Sequence, residues 1–115
     1  MKTFSEIESL VLEMPTSVKD HPFGEDVAVY KLGSSEGKMF ALIDEKSMPV
    51  RISLKCDPQL AELLREKYES VLPGYHLNKK HWNTIICSGQ VEDDELRDFI
   101  RHSYELVSAS PANEA

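Results

Sequence analysis

Residues 50–56, Val50-Arg51-Ile52-Ser53-Leu54-Lys55-Cys56, alternate apolar and polar without a break. In an extended chain successive side chains point to opposite faces. Val50, Ile52, Leu54 and Cys56 therefore share one face, and Arg51, Ser53 and Lys55 the other. A slip of one residue would bury a guanidinium and an ammonium and expose four apolar groups, so the pattern sets its own register. Such a strand belongs to a sheet with one covered face, and the rest of the chain must supply the cover. Directly after it, Asp57-Pro58 reads as a helix start. An Asp side chain accepts from first-turn amides there, and the missing proline N–H costs nothing. Leu60, Leu63 and Leu64, continued by Tyr68, are the predicted buried stripe of this helix.

The flanking segments supply the remaining elements. Phe4, Ile7, Leu10, Val11 and Met14 recur at helical spacing, Thr3 with Glu6 fits a capping box, and Pro15 stops the helix. Residues 16–26 read as a loop broken by Pro22 and Gly24. Val27–Leu32 and Lys38–Ile43 are strands joined by a turn at 33–37; both carry apolar residues on two faces, as central strands do. A short strand is expected at Tyr75-His76-Leu77, with Asn78-Lys79-Lys80 turning into a strand over His81–Cys87 that Gly89 ends. Glu92-Asp93-Asp94-Glu95 suits the positive end of a last helix, whose stripe is Leu96, Phe99, Ile100, Tyr104 and Val107. Residues from Ser108 to Ala115 are expected to fray, and 109–115 to form a disordered tail. The order α-β-β-β-α-β-β-α predicts an α+β, two-layer fold: an antiparallel sheet with helices packed on one face. Without repeat or linker, residues 1–115 read as a single domain.

Charge and composition narrow the function classes. No apolar stretch approaches the ~20 residues of a membrane span. The first residues lack the apolar run of a signal peptide, so a cytoplasmic location is expected. Cys56 and Cys87 form neither a CxxC pair nor a zinc knuckle and read as small buried apolar groups. The net charge of −7 is uneven. Residues 1–45 carry −5 (4 Lys/Arg, 9 Asp/Glu), residues 46–81 carry +3 (7 against 4), and residues 82–115 carry −5 (2 against 7). The whole opposes adhesion to polyanions, while the middle segment permits an anion site.

Catalytic signatures are missing: there is no G-x-S-x-G, HExxH, P-loop or G-x-G-x-x-G, and no spacing sets Ser53, Ser103 or His102 as a nucleophile beside a base. The chain reads as a non-enzyme without cofactor. His76 and His81 do not have zinc spacing, and Glu6, Glu8 and Glu13 read as a solvated helix face, so no metal is expected. Ser103-Tyr104 reads as a helix-packing pair.

One stretch combines charge, amides and an aromatic plane: His76, Asn78, Lys79, Lys80, His81, Trp82 and Asn83, extended across the sheet by Arg51, Ser53 and Lys55. Lysine meets phosphate, asparagine reads base edges and tryptophan stacks on an exposed base; equally, Lys79 and Lys80 fit a solvated turn and Trp82 a place in the core, where tryptophan is most often found. Pro73-Gly74-Tyr75-His76-Leu77-Asn78-Lys79-Lys80-His81-Trp82-Asn83-Thr84 resembles the most distinctive segment of the MmcQ/YjbR family. Phe40-Ala41-Leu42, Ile52-Ser53-Leu54-Lys55-Cys56 and Ser103-Tyr104 are similar to its second strand, third strand and terminal helix. The resemblance spans nearly the whole chain and implies a CyaY-like fold, shared with frataxin-type proteins and secretion chaperones, and a DNA-binding role. With an acidic remainder, DNA binding is expected to be weak and salt-sensitive. Two other partners are compatible: another protein, through an apolar patch left by the two-sided hairpin, or a small anion held by Lys55, His76 and Lys80. A continuous basic face marks the first reading, a large apolar patch the second, and a concave pocket near His76 the third.

Overall fold

A computed structural model describes residues 3–33 and 37–109. Their elements, in chain order, are α1 (Phe4–Val11), β1 (Ser17–Asp20), β2 (Val27–Leu32), β3 (Met39–Asp44), β4 (Arg51–Lys55), α2 (Pro58–Lys67), β5 (Val71–Pro73), β6 (Trp82–Ile86) and α3 (Asp93–Ala109). The strands form one antiparallel sheet in the order β1-β2-β3-β4-β6-β5. The fold is α+β, as the residue pattern indicates.

Three placements differ from the sequence reading. Residues 17–20 form an edge strand against β2, where a loop was expected. Their sequence, Ser-Val-Lys-Asp, has a single apolar residue, and only pairing with β2 makes it a strand. The short strand before β6 is Val71–Pro73, not Tyr75-His76-Leu77, which turns away over the sheet. Leu63 is 61% exposed, and Ala61 takes its place beside Leu64 in the buried stripe of α2. α3 runs through Ser108 and Ala109; residues 110–115 of the expected tail and 34–36 of the expected turn lie outside the described residues.

All three helices pack on one side of the sheet. The main core joins Ile7, Leu10 and Val11 of α1, Ala61 and Leu64 of α2, and Leu96, Ile100 and Val107 of α3 to Ile43, Ile52, Leu54 and Ile85 of the strands. Strand β4 keeps the register its alternation demands: Val50, Ile52, Leu54 and Cys56 are buried against the helices, and Arg51, Ser53 and Lys55 point to the opposite face. Thr3 and Glu6 form the capping box of α1, and Asp57 caps α2 by accepting from the Gln59 and Leu60 amides at 3.2 Å. Both cysteines are buried and free, and burial pushes each thiol up to about 11.

Ser103 ties α3 to the sheet. A bulge at Tyr30/Lys31 leaves Phe40 out of the β2–β3 ladder and in the main core, edge-on to Tyr104 with ring centroids 5.4 Å apart. Where β3 and β4 part, the Ser103 hydroxyl donates to the Phe40 carbonyl at 2.6 Å and accepts the Lys55 amide at 2.9 Å. It thus replaces a missing rung between the strands, fully buried. Tyr104 completes the attachment by donating to the Pro15 carbonyl at 2.9 Å.

Ser103→Ala strands a buried carbonyl and a backbone N–H at once. It should lower unfolding stability by ~1–3 kcal/mol in urea denaturation. An unchanged midpoint would mean that the strands close that rung unaided.

A second tie has a pH signature. Glu8 of α1 accepts from the Tyr30 hydroxyl at 2.6 Å and pairs with Lys19 at 2.7 Å. Burial pushes the Glu8 carboxyl up, but the Lys19 and Tyr30 contacts together outweigh it and hold the carboxyl below its ordinary value. A carboxylate depressed in the folded state adds stability above its unfolded pKa and loses it as pH falls through the folded one. Glu8→Gln should therefore destabilise at neutral pH and show a shallower loss between neutral and strongly acid pH. Parallel acid limbs for the two proteins would show that Glu8 carries none of the acid sensitivity.

Candidate functional site

The helix-free face of the sheet is built in rungs. One rung runs Val29, Leu42, Ser53, Thr84 and Leu72 across β2, β3, β4, β6 and β5; the next runs Val27, Asp44, Arg51 and Ile86. Val29, Leu42 and Trp82 form a second buried cluster, with Val27, Met39 and Leu77 packed around it. No helix contributes to it. Its cover is the segment 74–81 between β5 and β6, together with Phe23 from the β1–β2 loop.

The cover is held close but incompletely. The Gly74 amide donates to the Trp82 carbonyl at 2.9 Å, and the Tyr75 amide to Thr84 Oγ1 at 3.0 Å. A Cβ on Gly74 would lie 2.7 Å from Trp82 Cβ and 3.0 Å from its carbonyl oxygen, so only glycine permits this approach. His76 sits at φ +57°, a conformation that costs a residue with a side chain free energy and is often found at ligand sites. Behind the segment, Arg65 of α2 donates to Asn83 Oδ1 at 2.7 Å, to the Trp82 carbonyl at 3.2 Å and to the Lys79 carbonyl. The bent chain leaves a cavity of about 480 Å³ between itself and the sheet. Val27, Leu42, Leu77, Phe23 and Tyr75 make its walls apolar; Arg51, Asp44, Ser53, Thr84 and His76 supply the polar groups. Tyr75 and His76 meet with ring centroids 3.9 Å apart, and Tyr75 is 66% exposed at the rim.

The residues singled out from the sequence separate into three groups. Arg51 and His76 line the cavity. Asn78, Lys79 and Lys80 are exposed on the turn beyond it; there Asn78 Oδ1 accepts the Lys80 amide at 2.9 Å, and Lys79 Nζ reaches the Gly74 carbonyl at 3.3 Å. His81, half-buried, closes that turn, and Lys55 lies on the same sheet face, opposite Trp82.

One placement corrects the sequence reading, that of Asn83, and a second decides between the two roles open to Trp82. Asn83 is 2% exposed and faces the helices, its amide spent on Arg65 and on the Ala61 carbonyl at 3.3 Å, so it has no edge to offer a base. Trp82 is 8% exposed and packed on Val29 and Leu42, so its ring is part of the second core and not a stacking platform. The alternation rule puts neighbours 82 and 83 on opposite faces, which already forbids a shared surface role for them. Ser53, on the surface the sequence extends across the sheet, lines the cavity; Phe23, Tyr75 and Thr84 were missed as site residues. Thr84 gains its place by pairing with Ser53 across strands, and Phe23 and Tyr75 by loop placement, neither of which sequence periodicity reports.

The acidic residues in and just after α1 do not converge. Glu6 caps its helix, Glu8 holds Lys19, and Glu13 accepts from Arg97 at 2.8 Å. Among the described residues no three His, Cys, Asp or Glu side chains cluster as a metal site requires, and no helix is long and apolar enough to cross a membrane.

Gly74→Ala should push the cover off the sheet. The expected outcome is a stability loss of ~1–3 kcal/mol, with amide NMR shifts concentrated over residues 74–84. Shifts spread evenly over the protein, or none, would show that the cover does not depend on this approach.

Comparison with known proteins agrees with the fold. The chain is 41% identical over 98 residues to the Escherichia coli O157:H7 protein YbdF, a match spanning 85% of this chain and 78% of the relative. It is 39% identical over 70 residues to Escherichia coli K12 YjbR, spanning 61% of this chain and 59% of that protein. The crystal structure of Deinococcus radiodurans protein DR2400, with a domain of the DUF419 family model, superposes with a TM-score of 0.89 at 40% identity, covering 99% of this chain and 86% of that one. The YjbR family model matches residues 12–106, and the chain belongs to the YjbR family.

Proposed function

We propose that this protein is a cytoplasmic small-ligand-binding module, not an enzyme, and that its site is the cavity on the helix-free face. The observation that carries this reading is a 480 Å³ space with mostly apolar walls and a guanidinium, Arg51, at its edge. That volume is within the range of small-molecule sites, and a few polar groups set among apolar walls are their usual make-up. A second reading is weak DNA contact by the turn, supported by the exposure of Lys79 and Lys80 on the turn and of Tyr75 at the cavity rim. It has lost two of its sequence-level supports, since Trp82 and Asn83 are buried.

Anilinonaphthalene sulfonate, an aromatic anion that fluoresces in apolar sites, separates the two readings. One dye should bind per chain, and Val27→Trp, which fills the cavity from β2, should abolish the signal while the protein still unfolds cooperatively. A duplex of arbitrary sequence at low salt should not compete. Dye binding unaffected by Val27→Trp, with duplex DNA shifting the Lys79 and Lys80 amides, would favour the DNA reading instead.

A further inference from the structure

The polar groups of the cavity specify a class of ligand, if the cavity is a ligand site at all. Ser53 Oγ and Thr84 Oγ1 lie 2.8 Å apart, and Thr84 Oγ1 also accepts the Tyr75 amide at 3.0 Å. The bond between these oxygens takes one of the two hydroxyl hydrogens, so whichever oxygen donates, the other hydroxyl's hydrogen has no acceptor among the described residues. Both residues line the cavity and are nearly buried, Ser53 at 9% and Thr84 at 3% exposed. A buried donor without an acceptor is costly, and a ligand oxygen arriving from the cavity removes the cost.

Arg51 adds the charge. It stands two residues before Ser53 on the same face of β4, roughly 7 Å along the strand. Among the described residues its guanidinium bonds no acceptor. Its cross-strand neighbour Asp44 spends Oδ1 on the Lys46 and Ser47 amides at 3.1 and 3.2 Å. One guanidinium and one spare hydroxyl suit an acceptor group with two oxygens. The adjacent Asp44 carboxylate disfavours a second negative charge on that group, which argues for a carboxylate over a phosphate. Around these groups stand Phe23, Tyr75 and His76, with Leu42 and Leu77 beneath, so the body of the ligand meets rings and apolar carbon.

We propose that the cavity binds a ring-bearing monocarboxylate, its carboxylate on Arg51 and the Ser53–Thr84 pair and its ring against Tyr75, Phe23 and Leu77. The probes are 2-naphthoate and its neutral isostere 2-naphthamide, titrated against the amide NMR spectrum of the intact chain. Naphthoate should bind about tenfold or more tighter than naphthamide, the scale of a charge-assisted contact. Arg51→Gln should erase that preference without unfolding the protein, because Arg51 is exposed. Ser53→Ala should weaken naphthoate several-fold, and Asp44→Asn should tighten it by removing a like charge. Equal binding of the two probes at the cavity residues, or a preference that survives Arg51→Gln, overturns the carboxylate assignment and leaves the cavity a ligand site. Absence of binding by either probe, with no shift at Leu42 or Thr84, overturns both.

Discussion

Three helices cover one face of a six-stranded sheet and no more. Five interstrand gaps of about 4.8 Å plus the flanking strands make a sheet roughly 25–30 Å wide, and three helices of about 10 Å diameter fill that width once. Every helix here packs on the side of Ile52 and Leu54. The other face is thereby left to loops, and the consequence is visible in its chemistry. Where helices cover, the rungs read Ala28, Ile43, Ile52 and Ile85; where loops cover, they read Val29, Leu42, Ser53 and Thr84. The sheet grows more polar toward the side that holds the cavity.

A loop covers a sheet less completely than a helix does, because it lacks a regular apolar stripe and must satisfy its own backbone groups. The segment 74–81 meets the second demand by borrowing partners: Thr84 for the Tyr75 amide, the Trp82 carbonyl for Gly74, and Arg65 from the other layer for the Lys79 and Trp82 carbonyls. Arg65 reaches from α2 to these carbonyls, and Asn83, on the helix side, fixes its orientation. The two most conspicuous polar residues of β6 thus act in opposite directions: Thr84 holds the cover from in front, and Asn83 holds it from behind through Arg65. The first demand is met only in part. Leu77 reaches the second core, while Tyr75 and His76 stand off it, and the space beneath them is the cavity.

How much of this was legible in the sequence follows from the range of the forces involved. The strand register of β4, the capping box at Thr3, the cap at Asp57 and the packing role of Ser103-Tyr104 rest on local periodicity or side-chain chemistry, and the structure has them as read. β1 was not legible because three of its four residues are polar and it gains strand form only from β2. The Tyr75-His76-Leu77 segment has strand composition, but Gly74 and the positive φ of His76 turn it across the sheet. Leu63 illustrates the same limit on a helix: its spacing from Leu60 and Leu64 allows burial, but the shallow seat of α2 at the β5 side of the sheet leaves room for Ala61 instead. The site was half legible. Arg51, Ser53 and His76 stood out by type and strand face, whereas Thr84 and Phe23 acquire meaning only through cross-strand pairing and loop placement.

Charge distribution bears differently on the two kinds of anion. Duplex DNA carries one negative charge per roughly 1.7 Å of its axis, so a bound duplex runs past the basic tip and meets the acidic remainder of a chain with net charge −7. A small monoanion spans only a few ångströms. At physiological salt, exposed charges further away than about 8 Å are largely screened from it, and its energy is set by Arg51, Asp44 and the hydroxyl pair. The apolar walls on the sheet side strengthen those few contacts further. An acidic protein can therefore hold an anion where a polyanion is repelled, provided the site is small and its cation is not already paired. Arg51 meets the second condition, and the Gly74 approach and Arg65 anchor that bring the loop down on the sheet shape the first, a cavity that stays open at Arg51 and Tyr75.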